Sequence, residues 1–247
     1  MTSQLTEEPL IEASNLGLAY PLRQQQRLSL GDLFKRKTSE LWALRGLTFS
    51  LQRHQIVGVI GNNGSGKSTL CLLLAQILGP SEGSLVVRAR VSSLLSLGAG
   101  YNRELSGREN MRIYSAFLGI PREVFEERLG EVIEFSGLGA AIDRPLRTFS
   151  SGMRARLSFS VATSLDPEVL LLDEVLSAGD LSFRQKATTR IEEMISESSL
   201  VIVVSHSLGF LAGICTHALW LQEGRMMELG ETSEVIDAYR ESERRGK

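Results

Sequence analysis

The sequence predicts an α/β protein with a mostly parallel sheet, and three observations predict it. A short, β-branched apolar run at residues 55–60 feeds a glycine-rich turn and then a helical pattern over 67–78. Two further apolar runs, 169–172 and 200–204, are separated by an amphipathic stretch over 183–196. A helical block from Ser106 to about Gly139 lies between the first group of strands and the second. Strands that alternate with helices build parallel sheets, because a crossover helix brings the chain back to run in the same direction.

Each element has a local reason. Residues 85–91 alternate enough to read as a strand. Ser106 and Glu109 have the spacing of a capping box. Pro121 can open the next helix, where its missing N–H is not needed. A further helix follows Ser150 and breaks near Asp166-Pro167. Residues 218–222 and 226–229, joined through Gly224, read as a hairpin, and 232–245 as a charged helix. The most apolar stretch, 200–221, is punctuated by Ser205, His206, Ser207, Gly209 and His217. It therefore reads as strand, turn, helix and strand, not as a membrane span.

Composition narrows the class. The 247 residues are 43% hydrophobic and 23% charged, an ordinary soluble composition, and the length suits one large α/β domain or two small ones with a substantial core. The net charge of −2 gives no general attraction for nucleic acid, and none is expected as a partner. Cys71 and Cys215 lack metal-ligand spacing. The first ten residues lack a basic segment followed by an apolar run, so no secretory signal is expected and a reducing compartment is the default.

The strongest chemical signal is Gly61-Asn62-Asn63-Gly64-Ser65-Gly66-Lys67-Ser68-Thr69, a G-x-x-x-x-G-K-[ST] phosphate loop with a strand before it and a helix after. Glycines let successive N–H groups turn toward one anion, and the helix N-terminus adds its positive end. Lys67 can reach the β- and γ-phosphates of a nucleotide, and the Ser68 hydroxyl can ligate Mg²⁺. Such a loop requires a carboxylate at the end of a later strand. Leu172-Asp173-Glu174 supplies it, with Asp173 toward the metal and Glu174 as a base that polarises water. His206 follows the next strand, at the edge where ligands of open α/β sheets bind, and could contact the γ-phosphate and the water. Phe149-Ser150-Ser151-Gly152-Met153-Arg154 opens a helix; Ser150 or Ser151 can simply cap it, or the helix start can hold a second anion.

In this order the motifs resemble the ATP-binding cassette (ABC) ATPases, over nearly the whole chain. The resemblance implies a P-loop NTPase fold: a RecA-like parallel-sheet core, an antiparallel β subdomain and an inserted helical subdomain. It implies a single nucleotide-binding domain over 1–247, with the ATP-binding core in 1–95 and 166–230, the helical subdomain in 100–165 and a C-terminal helix in 231–247. Ser150, Ser151, Gly152 and Met153 would then be the signature that touches ATP held by the other subunit of a homodimer. Ser177 and Asp180 would be the D-loop across that interface, and Tyr20 would stack on adenine, although it could equally be a core residue.

Departures from the common pattern narrow the resemblance. Ser151 replaces a glycine of the usual signature and Met153 its glutamine. Residues 85–105 contain no glutamine, and Leu97-Gly98 stands where a lid glutamine is usual. Val175-Leu176 follows Asp173-Glu174. These features are similar to the ATPase subunits of bacterial polysaccharide exporters of the O-antigen, capsule and teichoic acid types. That implies ATP and Mg²⁺, a polytopic membrane transport subunit in two copies, a lipid-linked glycan as cargo, and a peripheral position at the cytoplasmic face of the inner membrane. Close relatives often carry Glu where this chain has Ser96, so a carboxylate role is not carried over. A C-terminal carbohydrate-binding domain is not expected, since the chain stops soon after residue 245. The alternatives are the ATPase of another ABC transporter class, a soluble ABC ATPase or a non-catalytic regulator. The missing glutamine, the absence of a second cassette or long coiled coil, and the intact Lys67, Asp173, Glu174 and His206 weigh against them in turn.

Residues 23–37 carry five positive charges and one negative, with Leu30, Leu33 and Phe34 on a common helical edge. Two readings stand side by side: a basic amphipathic helix at a membrane surface, or a solvated insertion resting on its own domain.

Overall fold

The structure, a computed structural model, describes residues 8–21, 40–94, 100–173 and 181–245. In chain order the elements are β1 (Ile11–Pro21), β2 (Glu40–Leu51), β3 (Gln55–Ile60), α1 (Lys67–Leu74), β4 (Glu82–Val87), β5 (Val91–Ser93), α2 (Gly107–Phe117) and α3 (Arg122–Ser136). They continue with α4 (Ser151–Ala162), β6 (Val169–Asp173), α5 (Leu181–Glu197), β7 (Leu200–Val204), α6 (Leu208–Ile214), β8 (His217–Gln222), β9 (Arg225–Glu231) and α7 (Thr232–Arg245). These residues divide into two compact units, one drawn from 1–53, 57–88 and 207–247, the other from 54–56 and 89–206.

The first unit holds an antiparallel three-stranded sheet in the order β2-β1-β4. Leu16, Leu18, Leu44, Leu47 and Leu51 are buried along it, each burial contributing about 2 kcal/mol. The same unit pairs β3 in parallel with β8, Val57 opposite His217 and Ile60 opposite Trp220. β9 then folds back antiparallel on β8. Helix α7 buries Val235 and Ile236, and its Thr232 hydroxyl donates to the Cys215 carbonyl at 2.9 Å.

In the second unit β5, β6 and β7 run parallel, with Leu170 opposite Val201 and Asp173 opposite Val204. Helix α2 starts as the sequence predicts. The Ser106 hydroxyl accepts from Glu109 N, and the Glu109 carboxylate accepts from Ser106 N, so α2 opens with a complete capping box. Asn110 is fully buried, its amide donating to the Asn102, Leu105 and Ser106 carbonyls and accepting from Asn102 N at 2.7 Å. That side chain knits the segment before α2 to the helix itself. Tyr101 donates to the Ser158 hydroxyl of α4 at 2.9 Å and lies edge-on to Tyr114 of α2.

Two expectations are corrected. The helix after the phosphate loop ends at Leu74, not 78, because Gln76 takes a left-handed backbone (φ 58°) that no α-helix continues. The single strand expected over 85–91 is two: β4 belongs to the antiparallel sheet and β5 pairs with β6. Between them Arg88 is tied back to the Glu12 carboxylate at 2.9 Å and to the Pro9 carbonyl at 3.0 Å. No helix among the described residues is long and apolar enough to cross a membrane.

Candidate functional site

The phosphate loop leaves β3 at Ile60 and enters α1 at Lys67. Gly61 sits at φ 143°, and a Cβ there would lie 2.1 Å from the Leu221 carbonyl of β8, so only glycine lets the loop lie this close to the neighbouring strand. Gly64 and Gly66 also carry positive φ. Gly66 is the N-cap of α1 and gives it no side-chain cap. The first N–H groups of the helix, with the positive end of its dipole, are therefore left open to an anion, with no capping side chain competing for them.

Within the loop, the Asn62 carbonyl accepts both the Ser65 N–H (3.1 Å) and the Lys67 ammonium (2.9 Å), and the Gly61 carbonyl accepts the same ammonium at 2.7 Å. Lys67 is 7% exposed, while Ser68 is exposed at the start of the helix. Ser65 is 3% exposed, and its hydroxyl has no hydrogen-bond partner among the described residues. A buried hydroxyl left in this state costs about 1–3 kcal/mol. A glycine cradle, an uncapped helix start, a lysine and a buried hydroxyl with no partner among the described residues fit the phosphates of a nucleotide.

Two neighbours brace the loop, and sequence reasoning missed both. The turn between β8 and β9 donates Gly224 N–H to the Ser65 carbonyl at 3.1 Å and accepts Arg45 N–H at 2.8 Å. Gly224 has φ 74°, and a Cβ on it would lie 2.6 Å from the Ala43 carbonyl. From the C-terminal helix, the Tyr239 hydroxyl donates to Asn62 Oδ1 at 2.8 Å, and Asn62 Nδ2 donates to Glu243 Oε1 at 2.9 Å. Burial, and then the Glu243 charge, push the Tyr239 hydroxyl above its ordinary range, so it stays a donor. The i, i+4, i+8 spacing of Val235, Tyr239 and Glu243 marks one helix face in the sequence, but only the fold aims that face at Asn62.

In the second unit, Asp173 ends β6 as the ladder partner of Val204, and Ser205-His206 follows directly. Asp173 and the exposed His206 thus leave the same edge of the sheet. Ser150 caps α4, its hydroxyl accepting from Met153 N at 3.1 Å, so of the two serines Ser150 holds the cap and Ser151 is exposed. A Cβ on Gly152 would meet only the Ser150 hydroxyl, at 3.9 Å, so this chain has room for a side chain there. Tyr20 is 39% exposed on β1 opposite Leu41, a surface position and not a core one. Glu174, Ser177 and Asp180 lie outside the described residues, as do Ser96, Leu97-Gly98 and the basic segment 23–37.

Residues 44–177, more than half of the chain, match the family model for the ABC transporter. The O-antigen export system ATP-binding protein RfbB of Klebsiella pneumoniae is 37% identical over 243 residues, 95% of this chain and 99% of that protein. RfbB of Myxococcus xanthus is 42% identical over 84% of this chain and 47% of that protein. The teichoic acids export ATP-binding protein TagH of Bacillus cereus (strain ZK / E33L) is 34% identical over 93% of this chain and 42% of that protein. The chain thus spans nearly all of the Klebsiella relative and under half of the other two. Among solved structures, an ATP-binding subunit of an ABC transporter superposes with a TM-score of 0.69 at 21% identity, covering 93% of both chains. An ATP-binding cassette solved as a dimer in a post-hydrolysis state with ADP and Pi superposes with a TM-score of 0.65 at 17% identity, over 90% of this chain and 98% of that one. At those identities the likeness is one of fold, and it agrees with a phosphate loop built between β3 and α1. The family match over residues 44–177 and the near end-to-end identity to a relative, on a chain with this loop, show that it belongs to the ABC transporter family.

Proposed function

We propose that this chain is the ATP-binding, ATP-hydrolysing subunit of a membrane exporter for a lipid-linked polysaccharide of the O-antigen or capsule kind. The observation that carries this reading is the 37% identity to the Klebsiella pneumoniae RfbB protein across 99% of that protein's length. Two of the three relatives are named for O-antigen export and one for export of teichoic acids, which favours this reading over another transporter class or a soluble ATPase.

The chain acts as one nucleotide-binding domain with the subdivision read from its sequence. Gly61 to Thr69 hold the ATP phosphates, Lys67 neutralising charge at the β- and γ-positions and Ser65 donating the hydroxyl that has no partner among the described residues. Tyr20 stacks on adenine. The Ser68 hydroxyl and the Asp173 carboxylate would hold Mg²⁺, which neutralises phosphate charge when bound. Glu174 takes the proton from the attacking water, and His206 orients the water against the γ-phosphate. Two copies close on two ATP molecules, with Ser150, Ser151, Gly152 and Met153 of one copy facing the phosphates held by the other, and Ser177 and Asp180 across the interface. The dimer sits peripherally at the cytoplasmic face of the inner membrane, against two copies of a polytopic transport subunit.

Glu174→Gln keeps the side-chain shape and removes proton acceptance. It binds ATP, loses most turnover and fails to restore glycan export in cells lacking the native subunit. Normal hydrolysis by that variant removes Glu174 from the mechanism. Gly152→Glu tests the composite site. It has room within its own chain, so it keeps its fold and its binding of one ATP and loses turnover. Equal loss of binding by the isolated subunit overturns the dimer arrangement.

A further inference from the structure

The C-terminal helix reaches a loop 177 residues earlier in the chain and bonds it through two side chains, Tyr239 and Glu243. Both functional groups of the Asn62 amide are used: its oxygen accepts from Tyr239 and its nitrogen donates to Glu243. The carboxylate can only accept, so the pair also fixes which way the amide faces. Asn62 is itself exposed, and so is Asn63. Without the helix, this first turn of the phosphate loop would have its side chains in solvent. The Asn62 backbone carbonyl is meanwhile the node on which Ser65 N–H and the Lys67 ammonium converge. The helix is in turn anchored beneath this contact. Trp220 packs edge-on against Tyr239, with ring centroids 5.6 Å apart, and Val235 and Ile236 are buried.

We propose that α7 is a positioning element for the nucleotide: Tyr239 and Glu243 latch Asn62, and through it hold the carbonyls of Gly61 and Asn62 where they aim the Lys67 ammonium. Holding the loop in its binding shape before the ligand arrives removes an ordering cost from binding. Neither residue need touch ATP, so both are positioning residues. The contact also makes nucleotide affinity depend on how α7 is seated, and whatever shifts this helix shifts the P-loop with it.

This inference rests on the reading of Gly61 to Thr69 as the ATP site, and the experiment separates the two. Binding of the non-hydrolysed analogue AMP-PNP with Mg²⁺ is titrated into the full chain, and thermal unfolding is followed without nucleotide. Tyr239→Phe keeps the ring against Trp220 and removes only the donor; Glu243→Ala removes the acceptor. Together they weaken AMP-PNP binding about tenfold while the nucleotide-free melting temperature stays near that of the unaltered protein. Glu243→Gln, which can still accept from Asn62 Nδ2, restores most of the affinity in the Tyr239-containing protein. In an Asn62→Ala background the same pair of changes shifts affinity by less than about twofold, because the latch has already lost its partner. Lys67→Ala tests the underlying reading by itself: normal binding by that variant removes the phosphate loop as the site. If Lys67→Ala fails to bind while Tyr239→Phe/Glu243→Ala binds within about twofold of the unaltered protein, the latch is overturned and the site stands. Equal losses with and without Asn62, or a loss that Glu243→Gln does not rescue, overturn it as well.

Discussion

Removing one hydroxyl at Ser65 is expected to move stability and affinity in opposite directions. The Ser65 side chain is 3% exposed and its oxygen has no hydrogen-bond partner among the described residues, while its backbone is held independently by Asn62 and Gly224. Ser65→Ala therefore deletes an unsatisfied buried group without freeing the loop. An orphaned hydroxyl costs about 1–3 kcal/mol, so the nucleotide-free variant gains about 1 kcal/mol after the small loss of packing is subtracted. For a chain of this size that raises the melting temperature by about 2–4 °C. With nucleotide bound the sign reverses. A phosphate oxygen gives the hydroxyl a charged acceptor, and a hydrogen bond of that kind is worth about 1.5–3 kcal/mol, so AMP-PNP binding weakens about tenfold or more. Scanning calorimetry without ligand and titration with AMP-PNP read the two halves separately. A lower melting temperature, or unaltered affinity, refutes the assignment of this hydroxyl to the phosphates.

Three further outcomes follow from the described residues. Asn110→Ala, which strips the buried amide from four hydrogen bonds, destabilises the chain by about 2–3 kcal/mol, seen as an earlier denaturant midpoint with unchanged slope. Burial pushes the Cys215 thiol from 9.0 up to about 12. Its folded pKa exceeds its unfolded one, so its contribution is complete below pH 9 and is lost as pH rises toward 12, and Cys215→Ala flattens that alkaline decline in melting temperature. The carboxyls of Glu126 and Asp143 are held below their ordinary range first by hydrogen bonds from Arg112 and Arg108. Their contributions are present above the ordinary values of 4.5 and 3.8 and disappear as pH falls through the lowered ones; an Arg112→Gln variant whose acid unfolding is superimposable on that of the unaltered protein contradicts this.

The elements legible in the sequence are those whose signal is local. The phosphate loop is plain because strand, glycine turn, lysine and helix are contiguous. The capping box at Ser106 and Glu109 forms as written, since both partners lie within one helical turn. The C-terminal helix matches its expected limits, 232–245, because its charged face alternates with Val235, Ile236 and Tyr239 over one uninterrupted stretch. The first strand of the antiparallel sheet, by contrast, leaves no readable pattern in the residues. β1 carries register shifts at Ala13/Leu16 and Leu16/Leu18, which break the two-residue alternation that pattern reading depends on.

By itself, then, the sequence carried the local motifs: a glycine-rich loop of the phosphate-loop pattern, a carboxylate at the end of one strand, a histidine after the next, and a capped helix start with serines. Local spacing suffices for that, because each motif carries its own backbone geometry. Tertiary structure alone decided what surrounds the loop. The Gly224 turn, the close approach of Gly61 to Leu221, and the latch of Asn62 by Tyr239 and Glu243 join residues far apart in the chain. No periodicity encodes such pairs; they exist only once β8 lies beside β3 and α7 packs on Trp220, because burial of that apolar face is what brings two distant polar groups within hydrogen-bond distance.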